Sequence, residues 1–184
     1  MAEVSDGTSR PRRIRRNTLR FRPGDMPPIF GDTASALIVD DNDDIATLLS
    51  RILEPEGYRC RTAPNAAEAR RCLSSGEFAV ALVDVMMPGE SGLELVDWMI
   101  AEHPNTSVVM VTGADDPRIA ELALESGVHG YVVKPFWPSQ VVITVANAGR
   151  LRCLEIERHL YEERLHRRQG QRVDDPGASL PAAD

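Results

Sequence analysis

The 184 residues leave room for one domain with a full core plus tails, and not for two full domains. Hydrophobic content is 42% with sparse aromatics. No apolar run approaches the roughly 20 residues of a membrane span, and the start lacks the apolar core of a secretory signal. The net charge of −7 is segregated: residues 1–35 hold seven Arg against four acids, 36–149 seven bases against seventeen acids, and 150–184 seven of each. So acidic a body argues against general nucleic-acid binding by the domain itself.

Residues 1–34 contain Arg10-Pro-Arg-Arg-Ile-Arg-Arg16, Pro23-Gly24 and Pro27-Pro28 without periodicity, and read as a disordered basic arm. From Ala36 the chain alternates apolar runs with helical patterns. Ala36–Val39 is a first strand, and Asn42 caps a helix that buries Ile45, Leu48, Leu49, Ile52 and Leu53 and ends near Pro55 and Gly57. Tyr58–Thr62 is a second strand. Asn65-Ala-Ala-Glu68 is a capping box for a helix that stops at Gly76. Ala79–Val83 is a third strand, an unbroken apolar run that ends in Asp84 and the turn residues Pro88-Gly89, as expected of a strand buried on both faces. Ser91-Gly-Leu-Glu94 opens the third helix, with Leu93, Leu95, Val96 and Met99 inward. Ser107–Val111 is the fourth strand, Asp116-Pro117 starts a helix ending at Gly127, Tyr131–Val133 is the fifth strand and Pro138 opens the fifth helix. Strict alternation implies an α/β fold with a doubly wound five-stranded parallel sheet and five helices. Gly149 marks a hinge before a polar helical extension over 150–169, and 170–184 reads as a disordered tail.

In such a sheet the ends of the strands that carry Asp40-Asp41, Asp84, Thr112 and Lys134 point the same way. Three carboxylates crowded there repel one another, so a hard divalent cation, Mg²⁺, is the natural filler. Asp84 then suits a nucleophile for phosphoryl transfer, with Thr112 as a hydrogen-bond donor. Lys134 is the single lysine beside twenty arginines, which suggests a site that needs a compact ammonium. The cysteines, Cys60, Cys72 and Cys153, form no CxxC and read as thiols in a reducing cytosol. His103, His129, His159 and His166 lack the spacing of a metal site or triad, and are expected at the surface or in the core.

Leu37-Ile-Val-Asp-Asp-Asn42, Val83-Asp-Val-Met-Met-Pro-Gly89, Val111-Thr-Gly-Ala114 and Val133-Lys-Pro-Phe136 together resemble the receiver domain of two-component response regulators, over about residues 35–149. The resemblance implies the flavodoxin-like strand order 2-1-3-4-5. It also implies that Asp84 is the phospho-acceptor and that Asp40 and Asp41 form the acidic pair. Mg²⁺ would be held by the acids and the backbone carbonyl of Met86, with Lys134 bridging to the phosphoryl group. Thr112 and Tyr131 match the switch pair, and Lys134-Pro135 matches a peptide that is usually cis in the family. Small residues at Gly113 and Ala114 and an apolar Met86 offer nothing to orient a hydrolytic water, so the phosphoryl-aspartate is expected to last minutes.

The expectation is a cytoplasmic single-domain response regulator, not an enzyme in the strict sense. It takes a phosphoryl group from a histidine kinase or a histidine phosphotransfer protein. With no DNA-binding domain in the chain, it signals through protein–protein contact; a homodimer through the fourth helix–fifth strand–fifth helix face or the C-terminal helix is one form of that contact. Two alternatives stand beside it. One is a receiver-like adaptor that works without phosphorylation. The other is a phosphatase similar to haloacid dehalogenases, with Asp41-x-Asp43 as its nucleophile motif, which would leave Asp84 idle. The chain could also be a receiver fragment of a larger regulator.

Overall fold

The computed structural model describes residues 34–113 and 126–173, with side chains to residue 167. The expected basic arm up to residue 33, the fourth predicted helix up to Glu125 and the tail from 174 lie outside the described residues.

Five strands form one parallel sheet: β1 (Ser35–Val39), β2 (Arg59–Ala63), β3 (Val80–Asp84), β4 (Ser107–Thr112) and β5 (Gly130–Val133). Their order is β2-β1-β3-β4-β5, with every ladder parallel, as the alternation of elements requires. The described helices are α1 (Asp43–Leu53), α2 (Ala66–Ser75), α3 (Gly92–Glu102) and α4 (Pro138–Val173), with a 3₁₀ turn at Glu54–Glu56. Central β3 is buried at all five positions because its two faces feed two different cores. Val80 and Leu82 join Ile38, Val109, Val111 and Val132 beneath α1 and α4. Ala81 and Val83 join Leu37, Val39, Val108 and Met110 beneath α2 and α3. Each fully buried aliphatic chain contributes roughly 1.5–3 kcal/mol, which is why these runs set the register.

The helix starts follow local chemistry. Asn42 accepts from the amides of Asp44 and Ile45, at 2.9 and 3.3 Å. Ser91 and Glu94 form both halves of a capping box, whereas Asn65 makes only one half, from the Glu68 amide. Three expectations are corrected. The buried stripe of α1 is Ala46, Leu49 and Leu53; Ile45 and Ile52 flank it half-buried and Leu48 is exposed. Gly149 is no hinge, because α4 runs through it unbroken. Ala148, Gly149, Cys153 and Ile156 are all buried there, and that packing outweighs the roughly 1 kcal/mol that glycine costs a helix. The helix also continues past Gly170 to Val173. No described helix is long and apolar enough to cross a membrane.

Candidate functional site

The carboxyl ends of β1, β3, β4 and β5 converge as expected. Asp40 follows β1 and is 1% exposed; Asp84 ends β3 and is 4% exposed. Asp41 is exposed beside them, and carboxylate oxygens of Asp40, Asp41 and Asp84 lie within 4.8 Å of one another. Lys134, just beyond β5, reaches across and donates to Asp40 Oδ2 and to Asp84 Oδ2, each at 2.7 Å. One ammonium thus answers three carboxylates, leaving a surplus of negative charge. A hard cation with oxygen ligands fits that donor set.

Backbone bonds fix each side chain. The Asp40 amide donates to the Ala63 carbonyl on β2 at 3.1 Å, and Asp40 Oδ1 accepts from the Asn42 amide at 2.9 Å. Asp84 Oδ1 accepts from the Met86 amide at 3.0 Å, so the loop after β3 orients its own carboxylate. The Lys134 amide donates to the Thr112 carbonyl at 2.7 Å, which extends the β4–β5 ladder to the lysine, and the Lys134–Pro135 peptide is cis.

Burial raises the Asp40 carboxyl above the ordinary range, although bonds from Lys134 and the Asn42 amide and the lysine's charge work the other way. Burial likewise pulls the Lys134 ammonium down. Its bonds to Asp40 and Asp84, aided by their charges, outweigh that and leave it above an ordinary lysine. The site therefore stabilises charge on the lysine while straining to keep Asp40 ionised.

Thr112 is buried at the end of β4, while Tyr131 on β5 is nearly half exposed, so its ring is not ordinary core. Met86 is 65% exposed at the rim, and Gly113 has open space where a side chain would stand. Asp43 lies in the first turn of α1.

Two features escaped the sequence reading. A Cβ at Gly92 would lie 1.9 Å from the Asp84 carbonyl oxygen, so only glycine lets α3 begin against the acceptor strand. Its amide donates to the Val85 carbonyl at 3.1 Å. The available signal was a glycine directly behind a capping serine, where it serves no capping purpose. The other is a clamp across helices: Arg70 pairs with Glu90 in the loop after Asp84 and stacks 4.1 Å over the Trp98 ring, which in turn packs on His103. No short-range pattern joins positions 70, 90 and 98.

Comparison with known proteins bears on the family and the fold. The model of the response regulator receiver domain matches residues 36–146. The chain is 38% identical over 130 residues to the response regulator protein PilR of Pseudomonas aeruginosa, covering 71% of this chain and 29% of that one. It is 35% identical over 128 residues to the nitrogen assimilation regulatory protein NtrX of Azorhizobium caulinodans, covering 68% and 28%. The chain thus spans less than a third of either relative. The crystal structure of a CheY-like receiver domain protein from Methanospirillum hungatei superposes with a TM-score of 0.63 at 28% identity, over 67% of this chain and 98% of that one. Matched in sequence over the whole sheet and in fold to solved receivers, the chain belongs to the response regulator receiver domain family.

Proposed function

We propose that Asp84 accepts a phosphoryl group from a phosphohistidine donor, a histidine kinase or a histidine phosphotransfer protein, in a Mg²⁺-dependent reaction. The observation that carries this reading is Lys134 held at 2.7 Å from both Asp40 and Asp84 inside a triad of carboxylates. A carboxylate oxygen of Asp84 forms the new bond to phosphorus as the phosphorus–nitrogen bond breaks, and the electron pair leaves with the donor imidazole. The Met86 amide and Lys134 fix the Asp84 carboxylate for this attack, which is a positioning contribution. Lys134 also stands ready to neutralise an oxygen of the transferred group, and the hydroxyl of Thr112 to donate to another. Asp40, Asp41, Asp84 and the Met86 carbonyl would hold Mg²⁺, whose chemistry is to neutralise the remaining phosphoryl oxygens.

Phosphorylation biases two packings of the same domain. Thr112 moves toward the phosphoryl group and the exposed Tyr131 ring turns inward, which remodels the face around β5. The changed surface then meets a protein partner, a second copy included, in the cytosol. Gly113, Met86 and Ala114 (which lies outside the described residues) offer no side chain to orient a hydrolytic water, so the acyl phosphate lasts minutes, and a half-life well under a minute in the purified protein would refute that part.

The deciding experiment is intact-mass analysis after treatment with a small phosphodonor and Mg²⁺, alongside Asp84→Asn. One added phosphoryl group that vanishes in the variant and without metal supports the reading. No addition to the wild-type chain, with fluoroberyllate also failing to bind, overturns it in favour of an adaptor that works without phosphorylation.

A further inference from the structure

At the opposite edge of the sheet, His129 stands one residue before β5 with its side chain 9% exposed. Its Nδ1 accepts from the amide of Val108 on β4, at 3.2 Å. That acceptor role leaves the proton on Nε2, which faces Glu155 Oε2 on α4 at 3.3 Å. The same glutamate oxygen accepts from Arg152 Nη1 at 2.7 Å. The imidazole, carried on the backbone one residue before β5, therefore ties β4 to the part of α4 beyond Gly149.

The neighbourhood is built as a seat. Ser107 Oγ donates to the Ala148 carbonyl at 3.2 Å, and Cys153 and Ile156 are buried on the same side of the helix. From Glu157 to Arg167 every described residue is exposed. The last buried turn of the helix is thus Arg152–Ile156, and His129 bridges it through Glu155 to β4.

We infer that His129 and Glu155 couple the strands of the acceptor site to the helical extension, so that phosphoryl-dependent movement of β4 and β5 is delivered to residues 150–167. The inference rests on the proposed acceptor function and adds its route of output. A ring rooted at the start of β5 and bonded through one nitrogen to β4 and through the other to α4 transmits displacement among them. A shift of β5 relative to β4 therefore either carries Glu155 along or breaks a bond.

The test uses the full chain with Mg²⁺ and fluoroberyllate, read by hydrogen exchange at 107–112, 129–133 and 150–160. In the wild type, exchange at 150–160 should change by about threefold or more together with the strands. Glu155→Ala removes the bridge but leaves the His129–Val108 bond; it should keep the strand response and lose that of the extension. Glu155→Gln retains an acceptor for Nε2–H and should behave as wild type. Arg152→Gln frees Glu155 from its other side and should weaken the extension response. Melting curves for each variant establish that the fold is intact. An undiminished extension response in Glu155→Ala overturns the coupling, as does a wild-type extension that ignores fluoroberyllate while the strands respond. No response in any segment overturns the acceptor function, and the coupling with it.

Discussion

At the carboxyl edge of the sheet, three carboxylates face one ammonium, and burial pushes Asp40 toward its neutral form. At the amino edge, burial also opposes the charge on Glu155, but bonds from Arg152 and His129 prevail and hold its carboxyl below the ordinary range. Burial thus prevails over the bonds to Asp40 at one end of the strands, whereas at the other the bonds to partly exposed Glu155 prevail. One edge keeps a deficit of positive charge that a cation can make up. The other settles its charges within the chain and so serves as an anchor. Excess like charge held in place by neighbouring bonds is the feature on which the proposed acceptor function rests.

The largest effect should come from worsening that deficit. Lys134→Ala removes the one ammonium at the site, and phosphorylation by a small phosphodonor should slow by about 100-fold, the scale of losing one transition-state donor. Initial rates by intact mass would show it, and a loss under threefold would mean that Lys134 is structural. Next comes the backbone beneath the site. Gly92→Ala places a methyl 1.9 Å from the Asp84 carbonyl oxygen, against backbone that cannot yield cheaply. Urea unfolding should show a loss of about 3 kcal/mol. An alanine variant of wild-type stability would mean that α3 can start farther from β3.

A smaller change should have the opposite sign. Asp40→Asn removes a carboxylate whose charged form burial disfavours, and leaves Lys134 its bond to Asp84. The metal-free protein should melt a few degrees higher, and Mg²⁺ should no longer raise its melting temperature. A lower melting temperature would show that the Asp40–Lys134 pair outweighs the crowding.

The sheet and its acidic edge were legible because each signal is short in sequence. Apolar runs of four or five residues sat next to Asp40, Asp84, Thr112 and Lys134, and a parallel sheet aligns whatever ends its strands. Leu48 misled because an apolar residue at the flank of a stripe has the same period as one at its centre. Gly149 misled because a glycine's local cost is visible in sequence whereas the burial of Ala148, Cys153 and Ile156 that repays it is not. The partners of His129 were not legible because Val108 and Glu155 lie far off in the chain and are brought near only by the fold.

The smallest effect tests the anchoring edge. Burial holds the His129 imidazole below its ordinary value of 6.5, against the Glu155 bond and charge that raise it, while the charge of Arg152 adds to the lowering. The Val108 amide acts in the same direction, since it needs Nδ1 unprotonated. Glu155 and Arg152 from α4 and this amide from β4 are the charged and polar groups that face the ring. A lowered folded value means that the unfolded chain binds the proton first. Stability from neutral His129 is therefore complete above 6.5 and is lost as pH falls through 6.5 toward the folded value. His129→Gln keeps an acceptor for the Val108 amide and cannot titrate. Between about pH 7.5 and pH 5.5 the wild type should lose a few degrees more than this variant. Parallel curves would mean that the ring carries its proton equally well in both states, and would remove the contrast between the settled edge and the strained one.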